Sequence, residues 1–135
     1  MIAHVEYVTF DTQSRYEIFD ITDRVEDVRT NAGLRDGFVL VSAMHITASV
    51  FVNDRESGLW QDIMQWLEWH APHGLDDKHH QTGEDNADAH LKRMLLGHQV
   101  LVPVTDGELD LGPWERIHYG ESDGRRPKRL KAVGI

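Results

Sequence analysis

At 135 residues, with 40% hydrophobic residues and no cysteine, the chain can bury roughly two-thirds of its unfolded surface and fold without disulfide or metal staples. The same numbers exclude a disordered chain, a disulfide framework, a thiolate zinc site and a cysteine nucleophile. A formal net charge of −9 disfavours nucleic acid and anionic membranes as partners, because both demand a broad basic surface. There is no run of about eighteen apolar residues and no apolar leader segment, so a soluble, cytoplasmic protein is expected.

Val5 to Phe10 and Arg15 to Phe19 read as two extended segments around Asp11-Thr12-Gln13-Ser14, a hairpin signal. Thr22 or Asp23 then opens a short amphipathic helix carrying Val25, Val28 and Ala32, and Gly33 stops it. Phe38 to Met44 is almost continuously apolar, which predicts a central strand covered on both faces. From His45 to Asn53 the chain still looks extended. If that stretch is one regular strand, His45, Thr47, Ser49, Phe51 and Asn53 share a face opposite Ile46, Ala48, Val50 and Val52, and the polar face meets solvent or a cleft.

Leu59, Ile63 and Leu67, with Trp60 and Trp66, predict a helix of about four turns ended by Pro72, its tryptophans in the core or at a subunit contact. Residues 72–84 form a long Gly/His/Asp-rich connection of the kind that is functional or mobile. Asp85 or Asn86 caps a helix running to Leu96, with Gly97 past its end. Val100 to Val104, the tight turn Thr105-Asp106-Gly107 and a return over Glu108 to Leu111 make a hairpin. Trp114 to Tyr119 and Lys128 to Val133 complete the sheet.

Chemistry concentrates in residues 79–91, where three histidines and three acids crowd the start of one helix. Imidazoles and carboxylates are ligands for divalent metals and the usual proton-transfer groups. Taken alone, the tract reads equally as a surface loop with one hydrogen-bonded histidine and as the wall of a site. His90 falls at the margin of the apolar stripe Ala87, Leu91 and Met94, where a side chain can be packed on one side and open on the other. The acids at the positive end of that helix make a bound cation more plausible. Residues 125–131 carry five cations and no acid. Arg125 and Arg126, beside Gly124, are candidates for holding phosphate. Lys128 and Lys131 are read instead as charges protecting an edge strand.

His45-Ile46-Thr47-Ala48-Ser49, Asn53-Asp54-Arg55-Glu56, Asn86 to Lys92, Leu96-Gly97, Pro103-Val104, Asp106-Gly107 and Leu111-Gly112-Pro113-Trp114 resemble, in order, the motifs of the YjbQ-like family, described as secondary thiamine-phosphate synthases. Three departures stand out. Ile46 replaces a threonine, Asp85 stands where a glycine commonly precedes the Asn-Ala-Asp-Ala-His segment, and Glu115 replaces a glutamine.

The resemblance implies that residues 1–135 form one domain of α+β class, with a mixed, mainly antiparallel sheet and about three helices, assembled as a homotrimer. It implies that His45, His79 and His90 converge on a pocket for a divalent metal, zinc or magnesium. The implied reaction joins hydroxymethylpyrimidine diphosphate to a thiazole phosphate and releases pyrophosphate, so the ligand is a small phosphorylated metabolite. In that scheme His45, His90, Glu56 and Asp85 are the catalytic candidates. Thr47, Ser49, Asn53, Arg125 and Arg126 are the substrate-binding candidates, and Trp114 is read first as a core or interface residue and second as a ring that could stack on a planar substrate. A metal-dependent hydrolase of a small metabolite and a non-catalytic metal- or anion-binding homotrimer use the same residues and stay open.

Overall fold

The structure is a computed structural model that describes residues 3–75, 77–125 and 127–135. The chain runs β1 (His4–Asp11), β2 (Glu17–Asp20), α1 (Thr22–Ala32), β3 (Gly37–Ala43), β4 (Ala48–Asn53) and α2 (Ser57–His70). A 3-10 turn (Lys78–Thr82) leads to α3 (Ala87–Leu96), and β5 (Gln99–Thr105), β6 (Glu108–Leu109), β7 (Arg116–Glu121) and β8 (Pro127–Gly134) finish the fold. Two antiparallel sheets result, one ordered β1-β8-β3-β5-β6 and the other β2-β7-β4. The expected α+β class with three helices is therefore what forms. Among the described residues no helix is long and apolar enough to cross a membrane.

Where local chemistry decides, the elements sit where the sequence puts them. Gly33 takes φ 63°, and its N–H closes the last turn of α1 on Arg29 and Thr30. Asp106 and Gly107, at φ 51° and 80°, make the two-residue turn that joins β5 to β6. The start of α1 differs in one detail: the Asp20 carboxylate accepts from both the backbone N–H and the hydroxyl of Thr22, at 2.9 and 2.7 Å.

Pairing between distant segments departs from expectation. The stretch read as one arm of a hairpin does not pair with β1. Instead β2 pairs with β7 in the smaller sheet, while β1 pairs with β8. β3 is indeed the middle strand of five, but its burial alternates. Val39, Val41 and Ala43 face the core, and Phe38 on the other face is exposed. β8 is no edge strand, since β1 and β3 flank it. Lys128 is accordingly buried, with its Nζ 3.3 Å from Glu121 Oε1, and does not protect an edge.

The core fills the space where the two sheets and α1 meet, around Val25, Val39, Val41, Ile117, Tyr119 and Leu130. His118 lies beside it with no exposed surface. Its ring stacks on Phe51 at 5.1 Å, its Nε2 accepts from the Trp60 indole N–H at 3.1 Å, and its Nδ1 donates to the Arg116 carbonyl at 3.0 Å. Both nitrogens are thus used by the neutral imidazole, and a second proton would break the Trp60 bond. Burial, only partly offset by Asp20, lowers the His118 pKa below its ordinary 6.5.

The sign follows from linkage: the unfolded chain takes up this proton at a higher pH than the folded one. His118 therefore contributes stability above pH 6.5 that is lost as pH falls through its folded-state pKa. Denaturant unfolding at stepped pH below 6.5 should show a steeper acid loss for wild type than for His118→Gln, by up to about 1.4 kcal/mol per pH unit. Equal slopes would show that this ring does not carry the effect.

Candidate functional site

α3 presents two different chemistries. Asp88 and Lys92, four residues apart, share one side of the helix, and His90, two residues from each, falls on the other. The His90 side meets the 3-10 turn. There the rings of His79 and His90 lie 4.6 Å apart, edge to face at 65°. His79 Nε2 bonds to Asn86 Oδ1 at 3.1 Å, and Asn86 Nδ2 donates to Asp123 Oδ2 at 2.9 Å. With the amide oxygen accepting, the His79 proton sits on Nε2 and the Nδ1 lone pair is left to act. The His90 pKa is lowered, first by burial, then by the charges of His79 and Arg93, against the opposing pull of Asp123 and Glu84. At neutral pH His90 is therefore an uncharged imidazole, able to donate at one nitrogen and accept at the other.

His90 borders two clefts. The larger, about 510 Å³, is lined by Ile46, His90, Arg93, Met94, Gly97 and His98. The smaller, about 330 Å³, lies against Asp77, His79, Ala87, His90 and Leu91. In the larger cleft no carboxylate lines the surface among the described residues. Arg93 reaches the Ala43 carbonyl only at 3.4 Å, and its Nε is buried without a hydrogen-bond partner among the described residues.

His45 does not begin a strand. It opens a turn, its carbonyl accepting from Ala48 N–H at 3.0 Å, and β4 starts only at Ala48. That turn overturns the predicted alternation: Thr47 and Ser49 are buried, not on a polar cleft face. The Thr47 hydroxyl donates to Glu121 Oε2 at 2.8 Å, and Ser49 Oγ to the Gly120 carbonyl at 3.3 Å. Asn53 is exposed and folds its Oδ1 onto Asp54 N–H at 2.8 Å. Glu56 is the N-cap of α2, accepting from Gly58 and Leu59 N–H at 2.6 and 2.7 Å.

Asp85 is exposed and ion-paired with Arg15 at 3.0 Å, and hydrogen bonding and charge from that guanidinium hold its pKa below the usual carboxylate range. Arg125 is exposed at φ 67°, its backbone N–H donating to Thr12 Oγ1 at 2.7 Å. Arg126 lies outside the described residues. Trp114, at 76% exposure, is no core residue. Among the described residues no three His, Asp or Glu side chains are placed to hold a metal ion, so His45, His79 and His90 do not make a three-ligand centre within one chain.

The sequence reading passed over the polar cluster on the other side of α3. Lys92, 1% exposed, donates to Asp88 Oδ2 at 2.6 Å, the Ala71 carbonyl at 2.7 Å and Glu68 Oε2 at 3.0 Å. Asp88, 2% exposed, also accepts from the Tyr16 hydroxyl at 2.7 Å and lies 3.1 Å from His73 Nδ1. Burial alone would raise the Asp88 pKa. Hydrogen bonds from Lys92, His73 and Tyr16 outweigh it and hold the carboxyl below its ordinary value. The only local signal was the four-residue spacing of an acid and a base on one helix face.

Two antiparallel sheets, three helices and a histidine pair formed between α3 and the 3-10 turn define an α+β protein with its candidate site at a helix flank. The family model described as UPF0047 protein YjbQ-like matches residues 6–134, and the chain belongs to that family. It is 46% identical over 123 residues to a UPF0047 protein of Archaeoglobus fulgidus, an alignment covering 91% of this chain and 94% of the relative. The YugU UPF0047 protein of Bacillus subtilis is 32% identical over 128 residues, 91% of this chain and 94% of the relative. Among solved structures, a YbjQ-like protein of unknown function from Sulfolobus solfataricus superposes with a TM-score of 0.93 at 30% identity, covering 98% of this chain and 96% of that one.

If the two imidazoles sense each other as this geometry requires, His90 ring protons followed by NMR should titrate below pH 6.5. His79→Gln should move that midpoint upward, because a repelling charge is gone. A His90 midpoint unmoved by the substitution would show that the charge of His79 is not part of the cause.

Proposed function

We propose that the cleft between His90, Arg93 and His98 binds a phosphorylated small metabolite and that its chemistry is of the thiamine-phosphate synthase type. The observation that carries this reading is the cleft's composition. Among the described residues two imidazoles, one guanidinium and no carboxylate line it, in a chain of net charge −9. An acidic protein that keeps acids out of one cleft has made a place for an anion.

In the proposed reaction the carbon–oxygen bond between the pyrimidinyl methylene and its diphosphate breaks, and pyrophosphate leaves with the electron pair. The thiazole ring nitrogen then donates its lone pair to that methylene, giving thiamine phosphate. Arg93 and N–H donors of His90 and His98 would hold the departing oxygens where negative charge grows. The Asn86–Asp123 pair would fix the His79 ring.

Among the described residues His79 and His90 bring two imidazoles together and no third His, Asp or Glu joins them to hold an ion, so this pair alone does not fit zinc or magnesium, and no step above runs through a metal. The metal expectation would require a further ligand from another copy of the chain, within the proposed homotrimer.

Incubating the purified protein with hydroxymethylpyrimidine diphosphate, thiazole phosphate and Mg²⁺ should yield thiamine phosphate. His90→Ala and Arg93→Gln should each lower the rate about 100-fold. Product no higher than in these variants would sink the synthase. Pyrophosphate or phosphate released without thiamine phosphate would replace it with a hydrolase.

A further inference from the structure

β2 is an outer strand of the smaller sheet, and α2 lies alongside it without closing on it. Leu59, Trp60 and Ile63 are only half-buried. Leu67 is the only fully buried residue of α2, and Trp66 and Trp69 are exposed. Ser57, Trp60, Gln61 and Met64, at helical spacing, instead face β2 across a cleft of about 540 Å³. Tyr16 and Ile18 form the opposite wall, and Glu68 and Lys92 the end. That volume is in the range of small-molecule sites.

The charges say which molecule. An ammonium has three protons, and those of Lys92 face Glu68, the Ala71 carbonyl and Asp88, so none remains for an anion. Glu17, Glu68 and Asp88 set three carboxylates against that one ammonium. His73 adds one positive charge only if protonated, and Arg15 is committed to Asp85 and Asp123. With the surplus negative in either case, phosphate is repelled. Inorganic cations are disfavoured too, since no three acidic or imidazole groups converge among the described residues and Trp60, Met64 and Ile18 give apolar walls. Glu68, whose side chain is 41% exposed, retains acceptor capacity beyond its bonds to Lys92 and His73 N–H. The Trp60 ring is held by its bond to His118, which pre-orders an aromatic face.

We propose that this cleft is a second small-molecule site, separate from the His90 cleft, and that it takes an organic ammonium ion with an apolar body. The cation sits between Glu68 and the aromatic walls, and the apolar body lies against Met64 and Ile18. This assignment stands independently of the synthase reading, because neither Arg93 nor any histidine of the other cleft enters it.

Benzyltrimethylammonium chloride titrated into the full chain by calorimetry should bind one to one, with Kd on the order of 1 mM for a ligand of this size. The Trp60 indole N–H resonance should shift in parallel. Benzoate, of similar shape and opposite charge, should not bind there. Glu68→Gln should weaken the ammonium about tenfold. Gln61→Trp, a change at an exposed position with no structural partner given up, should abolish binding by filling the cleft. Absence of saturable binding, equal binding of benzoate, or unchanged affinity in Gln61→Trp would each overturn the assignment.

Discussion

The buried contact between Lys92 and Asp88 is the constraint on which the arrangement around α3 depends. Two opposite charges taken out of water are costly unless hydrogen bonds answer them: all three Lys92 protons are used, and the Asp88 carboxylate accepts from Lys92 and Tyr16 and lies against His73 Nδ1. Lys92 reaches α2 through Glu68 and the end of that helix through Ala71. Asp88 reaches the loop before β2 through Tyr16, and the segment after α2 through His73. One ion pair thus ties together four stretches of chain. The Lys92 ammonium also stands 5.0 Å from the centre of the Tyr16 ring, which adds a cation–π contact to the clamp.

With α3 held from that side, its opposite side is set at a defined distance from the 3-10 turn and from β4. This is what brings His90 against His79 and lets Asn86 span between His79 and Asp123. The two clefts differ in sign because the helix separates them. Acids gather where Lys92 must be neutralised, and they are absent where Arg93 and the imidazoles line the surface. A net charge of −9 is therefore not spread evenly, and its distribution supports opposite ligands on opposite sides of one helix.

Much of the fold was legible because its signals were local. Gly33 after a helical stripe, Asp106-Gly107 between two strands and Gly97 past α3 each act through a few neighbouring residues. Strand partners were not legible in the same way. β2 looked like half of a hairpin, yet its partner is β7, and nothing in residues 11–20 reports on residues 116–121. The same limit governed the site. His79 and His90 were recoverable from one short tract. The roles offered to Thr47 and Ser49 rested on an assumed continuous strand, and a turn at His45–Thr47 buried both side chains. Glu56 looked chemical because it is a carboxylate near a polar strand end, but two unsatisfied N–H groups at the start of α2 account for it. Tyr16 and Asp88 meet across 72 positions, a contact that no pattern in the chain announces.

Lys92 and Asp88 act as one unit in positioning α3. A double-mutant cycle with Lys92→Met, Asp88→Asn and the combined variant, read by denaturant unfolding at pH 7, tests it most directly. Each single change should cost about 3–5 kcal/mol, and the pair should cost less than their sum by about 2 kcal/mol or more. Simple additivity of the two single costs would contradict it.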